Sequence, residues 1–70
     1  MASETFYKTI EEAVKVAEKE TNPTLSRYET DMVNMVWNGY DCNNNRLFTV
    51  YRTFDEAYKQ VYQIRYALKD

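Results

Sequence analysis

One phrase constrains this chain more than any other, because it is written twice. Tyr51-Arg52-Thr53-Phe54-Asp55-Glu56-Ala57-Tyr58-Lys59 repeats Tyr7-Lys8-Thr9-Ile10-Glu11-Glu12-Ala13-Val14-Lys15, 44 positions upstream, with Tyr, Thr, Glu, Ala and Lys identical at matched places. Lys/Arg, Ile/Phe and Glu/Asp are conservatively exchanged. In each copy a threonine precedes a glutamate by three residues, the spacing of a capping box, in which each side chain satisfies an unpaired backbone N–H at a helix start. The repeat therefore predicts two strand-to-helix units with other structure between them.

The first unit opens with a short strand over residues 5–8 and continues as a helix from Thr9. Ile10, Ala13, Val14 and Ala17 recur at i, i+3, i+4 and i+7 and make one apolar stripe, with Glu11, Glu12, Lys15, Glu18 and Lys19 on the other side. Asn22-Pro23 ends this helix near Thr21, since the residue before a proline is pushed out of the helical region. Residues 24–30 read as loop, with Leu25 and Tyr28 able to make one helical turn under the sheet or the beginning of a strand. Residues 31–39 alternate as a strand, with Val33, Met35 and Trp37 on one face and Met32, Asn34, Val36 and Asn38 on the other. Arg46–Tyr51, rich in aromatic and β-branched residues, is its hairpin partner. Asn38-Gly39 is a hairpin turn signal in its own right. It would, however, force Asp41–Asn45 into a strand, so the turn is placed at 41–45 and Gly39 at a bulge or strand end. The second helix runs from Phe54 to about Leu68, with Phe54, Ala57, Val61, Ile64 and Leu68 as its stripe and Lys69 in its last turn.

The expected fold is thus α+β in the order β-α-β-β-α, one domain over residues 1–70. An antiparallel hairpin of two to three strands carries both helices on one face, with Phe6, Val33, Met35, Trp37, Phe48 and Val50 turned towards them. The reverse face would hold Tyr7, Met32, Val36, Leu47, Thr49 and Tyr51, too apolar to be left wet without a reason.

Seventy residues bury only about 60% of their unfolded surface, so help from a partner is expected. Cys42 is the only cysteine and histidine is absent, so neither an intrachain disulfide nor a familiar zinc site is available to a small core. Homodimerisation is the remaining device. The lone thiol suits a reducing cytoplasm, the start Met1-Ala2-Ser3-Glu4 does not read as a signal peptide, and no apolar run reaches the roughly 20 residues of a membrane span.

Catalysis leaves no mark. No Ser-His-Asp or Cys-His set can be assembled, and a single glycine rules out a glycine-rich phosphate loop. Glu11-Glu12 and Asp55-Glu56 are paired carboxylates, but they sit where first-turn acids favour the helix dipole, and capping outweighs acid–base work. Cys42 lies in a polar loop without a cationic neighbour and reads as a passive thiol. The chain is therefore expected to be non-enzymatic and to need no cofactor.

Nine basic and eleven acidic side chains are unevenly spread: four against seven in residues 1–31, net −3, and five against four in 32–70, net +1. Glu4, Glu11, Glu12, Glu18, Glu20, Glu29 and Asp31 form a candidate acidic surface for a basic protein partner, although solvated helix faces give the same count. Tyrosine is frequent, seven in all. Tyr58, Tyr62 and Tyr66 recur every fourth position, and on a helix that line would walk outward from the core. Tyrosines leaving a core suit an interface, so Tyr7, Val36, Leu47, Tyr51, Tyr62 and Tyr66 are the candidate partner or dimer contacts. A second reading has Trp37, Tyr40, Phe48, Tyr51, Arg46 and Arg52 stack and pair with nucleic acid. The acidic balance and the absence of a Lys/Arg cluster weigh against it.

In general character, with Tyr-Lys/Arg-Thr-Ile/Phe-Glu/Asp-Glu-Ala as its recurring phrase, the chain resembles the small early proteins by which tailed bacteriophages take over a host. The resemblance is of style over the whole length. It implies a protein that inhibits a bacterial host protein by binding it, with imitation of DNA phosphates by carboxylates as one means. A third reading is an accessory subunit of a larger assembly.

Overall fold

A computed structural model describes residues 5–67. It contains one helix and a four-stranded antiparallel sheet: α1 (Ile10–Thr21), β1 (Arg27–Asp31), β2 (Val36–Tyr40), β3 (Arg46–Phe54) and β4 (Gln60–Tyr66), the strands lying in the order β1-β2-β3-β4. The α+β character is as expected; the β-α-β-β-α order and the second helix are not.

The first copy of the repeated phrase starts a helix as expected, through the threonine half of the capping box. Thr9, in an extended conformation, accepts the Glu12 N–H on its hydroxyl at 3.1 Å and caps α1. The helix buries Ile10, Ala13, Val14 and Ala17 and stops at Asn22, whose backbone is extended ahead of a cis peptide to Pro23. The expected strand at residues 5–8 reduces to one antiparallel bridge, Tyr7 to Tyr62, with N–H···O bonds of 2.8 Å in both directions.

The second copy folds differently. Tyr51-Arg52-Thr53-Phe54 is the end of β3, and at Asp55 the chain reverses instead of coiling. Asp55 Oδ1 accepts the N–H groups of Ala57 and Lys59, both at 2.9 Å, which locks a five-residue turn. The residues downstream decide the outcome. After the first phrase come Val16-Ala17-Glu18-Lys19, which extend a helix readily; after the second come Val61, Tyr62, Ile64 and Tyr66, β-branched or aromatic and able to pair along β3. The 3.6-residue spacing of Phe54, Ala57, Val61 and Ile64 is coincidental. Leu68 and Lys69, placed at the end of that helix, lie outside the described residues.

The strand expected over 31–39 is also corrected. Residues 27–30, read as loop, form β1 together with Asp31; 32–35 are a turn; β2 begins only at Val36. Asp31 breaks the alternation, its Oδ1 accepting the N–H groups of Val33 at 3.1 Å and Asn34 at 3.2 Å. Val33 consequently stands 88% exposed at the turn and Phe6 43% exposed, neither facing the helix as expected. The turn at 41–45 and the irregularity at Gly39 are where the sequence placed them.

Helix α1 packs on β3 and β4, and the core is Ile10, Ala13, Val14 and Ala17 against Phe48, Val50 and Tyr62. Trp37, Met35 and Ile64 close its margin. The indole N–H of Trp37 is buried without an acceptor among the described residues. The other face of the sheet is covered by no described element.

Candidate protein-binding surface

In a four-stranded meander β1 and β3 point the same way, so the turns that follow them, 32–35 and 55–59, lie at one end of the molecule. The bridge of Tyr7 to the beginning of β4 brings the start of α1 to that end too. Exposed large apolar side chains concentrate there: Val33 (88%), Tyr58 (87%), Phe54 (58%), Met32 (49%) and Phe6 (43%). Phe6 and Phe54 line one shallow depression with Asp55, Glu56 and Ala57. Elsewhere only Tyr28 and Tyr66 are comparably exposed among the described residues, so chance scatter is a poor account of the pattern.

The backbone sharpens the contrast between the two ends. Each hairpin opens on an aspartate that accepts N–H groups of its own turn: Asp31, Asp41 and Asp55. Each turn also holds a residue with positive φ: Met35 (55°), Asn44 (66°) and Tyr58 (62°). Asparagine tolerates this left-handed conformation, whereas a bulky side chain there costs about 1 kcal/mol. The 41–45 turn, at the far end, uses asparagine. Met35 offsets the cost by packing on the core. Tyr58 offsets it with nothing inside the molecule.

The acidic residues do not form one surface. Glu11 and Glu12 are exposed in the first turn of α1, and Glu20 is exposed near its end. Glu18 accepts the hydroxyl of Tyr28. On the opposite face of the sheet Glu29 pairs with Arg27 at 2.9 Å, and Asp31 is committed to its turn. Hydrogen bonding, first by Asn34, holds Asp31 below the usual carboxylate range; hydrogen bonding by Asn45 does the same for Asp41. Glu4 lies outside the described residues.

The expected interface tyrosines divide as well. Tyr62 is 5% exposed in the core and Tyr7 packs at its margin, because the segment thought to be a helix is a strand whose alternate residues face α1. Tyr66 lies on that same side. Burial, then Glu20 and Tyr7, holds its phenol above the usual range. Leu47 sits where the β2–β3 register shifts; it packs against the core and lines a depression beside Thr21 at the end of α1. Only Val36 and Tyr51 remain on the uncovered face, opposite one another.

Phe48 is fully buried and Trp37 half-buried, which removes two of the rings that a nucleic-acid reading would use. No group of three or more His, Cys, Asp or Glu side chains able to hold a metal forms among the described residues, and none of their helices is long and apolar enough to cross a membrane. Sequence reasoning missed Phe54, Tyr58 and Val33 as surface residues. The signal was the aspartate itself: Asp31, Asp41 and Asp55 each open a turn whose N–H groups they accept.

Comparison with protein-family models, with curated proteins and with solved structures finds no match.

Proposed function

We propose that this chain is a non-enzymatic protein-binding protein that engages its partner with the end formed by the turns 32–35 and 55–59. The observation that carries this reading is Tyr58, 87% exposed and held at a φ of 62°. A large ring in an unfavourable conformation with no packing to offset it points to a use outside the fold. Phe54, Val33 and Met32 would supply the apolar contact area around it. Acidic mimicry has less behind it, since Glu18, Glu29 and Asp31 are engaged within the chain and Lys15 and Lys19 interrupt the outer side of α1.

The bacteriophage resemblance makes inhibition of a bacterial host protein the first form of this function to test. Capture from a bacterial lysate should compare the wild-type chain with Tyr58→Asn and with Glu11→Gln/Glu12→Gln. Loss of a captured protein with Tyr58→Asn, and its retention with the glutamine pair, is the expected result. Equal capture by all three chains would remove the turns from the interface, and loss only with the glutamine pair would return the acidic surface.

A further inference from the structure

The uncovered face of the sheet has a charge pattern that selects an occupant. The strand registers place Glu29, Asn38, Thr49 and Arg65 in one row straight across it, Glu29 opposite Asn38, Asn38 opposite Thr49, and Thr49 opposite Arg65. The row begins with a carboxylate on β1 and ends with a guanidinium on β4; although Glu29 also pairs with Arg27 at 2.9 Å, the side chains of Arg27, Glu29 and Asp31 leave β1 net −1 on this face against the +1 of Arg65 on β4. Arg65 is exposed and forms no ion pair among the described residues.

We infer that this face is covered by a second copy of the chain, stacked sheet to sheet about a two-fold axis parallel to the strands. That axis carries β1 of each copy over β4 of the other while keeping position along the strand. Glu29 of each copy then meets Arg65 of the other, twice per dimer, as an isologous interface requires. An axis across the strands would instead lay β1 on β1 and bring like charges together, so the row also sets the orientation.

Two further observations fit this occupant. The hydroxyls in the middle of the face are bonded within the chain, Thr49 donating to Asn38 Oδ1 at 2.5 Å and Tyr51 to Gln63 Oε1 at 3.2 Å, which leaves the amide N–H groups of Asn38 and Gln63 to be taken up across the interface. Val36 and Tyr51, half-buried and opposite one another, supply apolar area beside them. The molecule is also a slab, 39 × 32 × 17 Å, whose broad side exceeds the ~800 Å² per partner of a standard interface. A layer order of helix, sheet, sheet, helix gives a second core to a chain whose own core is small.

Sedimentation equilibrium of the wild-type chain, Glu29→Arg, Arg65→Glu and the double variant tests the inference. The wild type should dimerise with a dissociation constant below ~100 µM. Each single reversal should weaken the dimer at least ~10-fold by creating two like-charge contacts, and the double variant should recover most of the loss. Both positions are exposed, and far-UV circular dichroism verifies the fold; should either reversal disturb it, Glu29→Gln and Arg65→Gln must weaken the dimer instead. A wild-type monomer at these concentrations, equal association of all four chains, or no recovery in the double variant overturns it. So does a monomer in which a single-stranded oligonucleotide shifts the amide signals of Tyr51, Thr49 and Arg65, since nucleic acid would then own the face.

Discussion

Gly39 shows how much a single position can fix. It lies opposite Phe48 at the point where the β2–β3 register shifts. A Cβ there would overlap the Phe48 ring and stand 2.9 Å from Leu25 Cδ1. The chain's one glycine is thus present for space, its φ being negative. Phe48 is among the largest fully buried side chains, so it cannot yield without disturbing the core. Gly39→Ala is expected to destabilise the fold by ~1–3 kcal/mol, the range for overpacking, read from urea or thermal unfolding; an unchanged midpoint would mean the ring moves freely. Tyr58 is the opposite case. Replacing it with asparagine, the residue at the matching place of the 41–45 turn, should stabilise the chain by ~1 kcal/mol while weakening the partner complex. A variant that loses binding but gains no stability would show that the ring packs in solution.

At the scale of elements, what was legible followed from signals that local chemistry alone can decide. Thr9, the Ile10–Ala17 stripe and Pro23 bound α1 with no help from the rest of the chain. Arg46–Tyr51 had composition enough to be a strand anywhere. The repeated phrase misled because Thr-x-x-Glu specifies a helix start only when good helix formers follow; Asp55 and the β-rich segment 60–66 tip the second copy towards a hairpin. β1 could not be decided between loop, helical turn and strand, since an edge strand exposed along its whole length, Arg-Tyr-Glu-Thr-Asp, has no apolar alternation to detect. Val33 was mistaken for core for the opposite reason: residues 32–35 alternate like a strand, although Asp31 folds them into a turn. Two of the turn aspartates make a testable claim. Asp31 and Asp41 have folded pKa values depressed below 3.8 by hydrogen bonds from their own turns. Their contribution to stability is complete above the unfolded value, near 4, and is lost as pH falls through the lower folded value. The unfolding midpoint should therefore show no loss from these groups between about pH 7 and 5 and should fall below about pH 4. Asp41→Asn should flatten that fall; a variant as acid-sensitive as the wild type would mean the turn carboxylates do not set it.

For the whole molecule, the decisive asymmetry is that one helix covers only part of one side of the sheet. α1 lies on β3 and β4, so the buried side chains Phe48, Val50 and Tyr62 belong to those two strands, while β1 has none. β1 is held by its ladder to β2, by the edge contact of Tyr28 with Trp37 at 5.7 Å, and by Arg27, which lies 4.4 Å from the centre of the Tyr40 ring and bonds Asn44 and Glu29. Exposed ion pairs of this sort add little, about 0–1 kcal/mol. Stability should then decline laterally, highest on β3 and lowest on β1, because local opening is governed by how much buried apolar contact each unit would lose. Native-state hydrogen exchange measures this directly. Ladder amides of β3 should exchange only through global unfolding, and those donated by β1 to β2 should exchange through a smaller opening with weak denaturant dependence. Dilution adds a second axis to the experiment. A stacked dimer would protect the β1 ladder at high concentration and release it on dilution, whereas a monomer would show the same lateral gradient at every concentration. Uniform protection across all four strands would mean that the sheet opens as one unit and that the helix stabilises β1 as well as it stabilises β3.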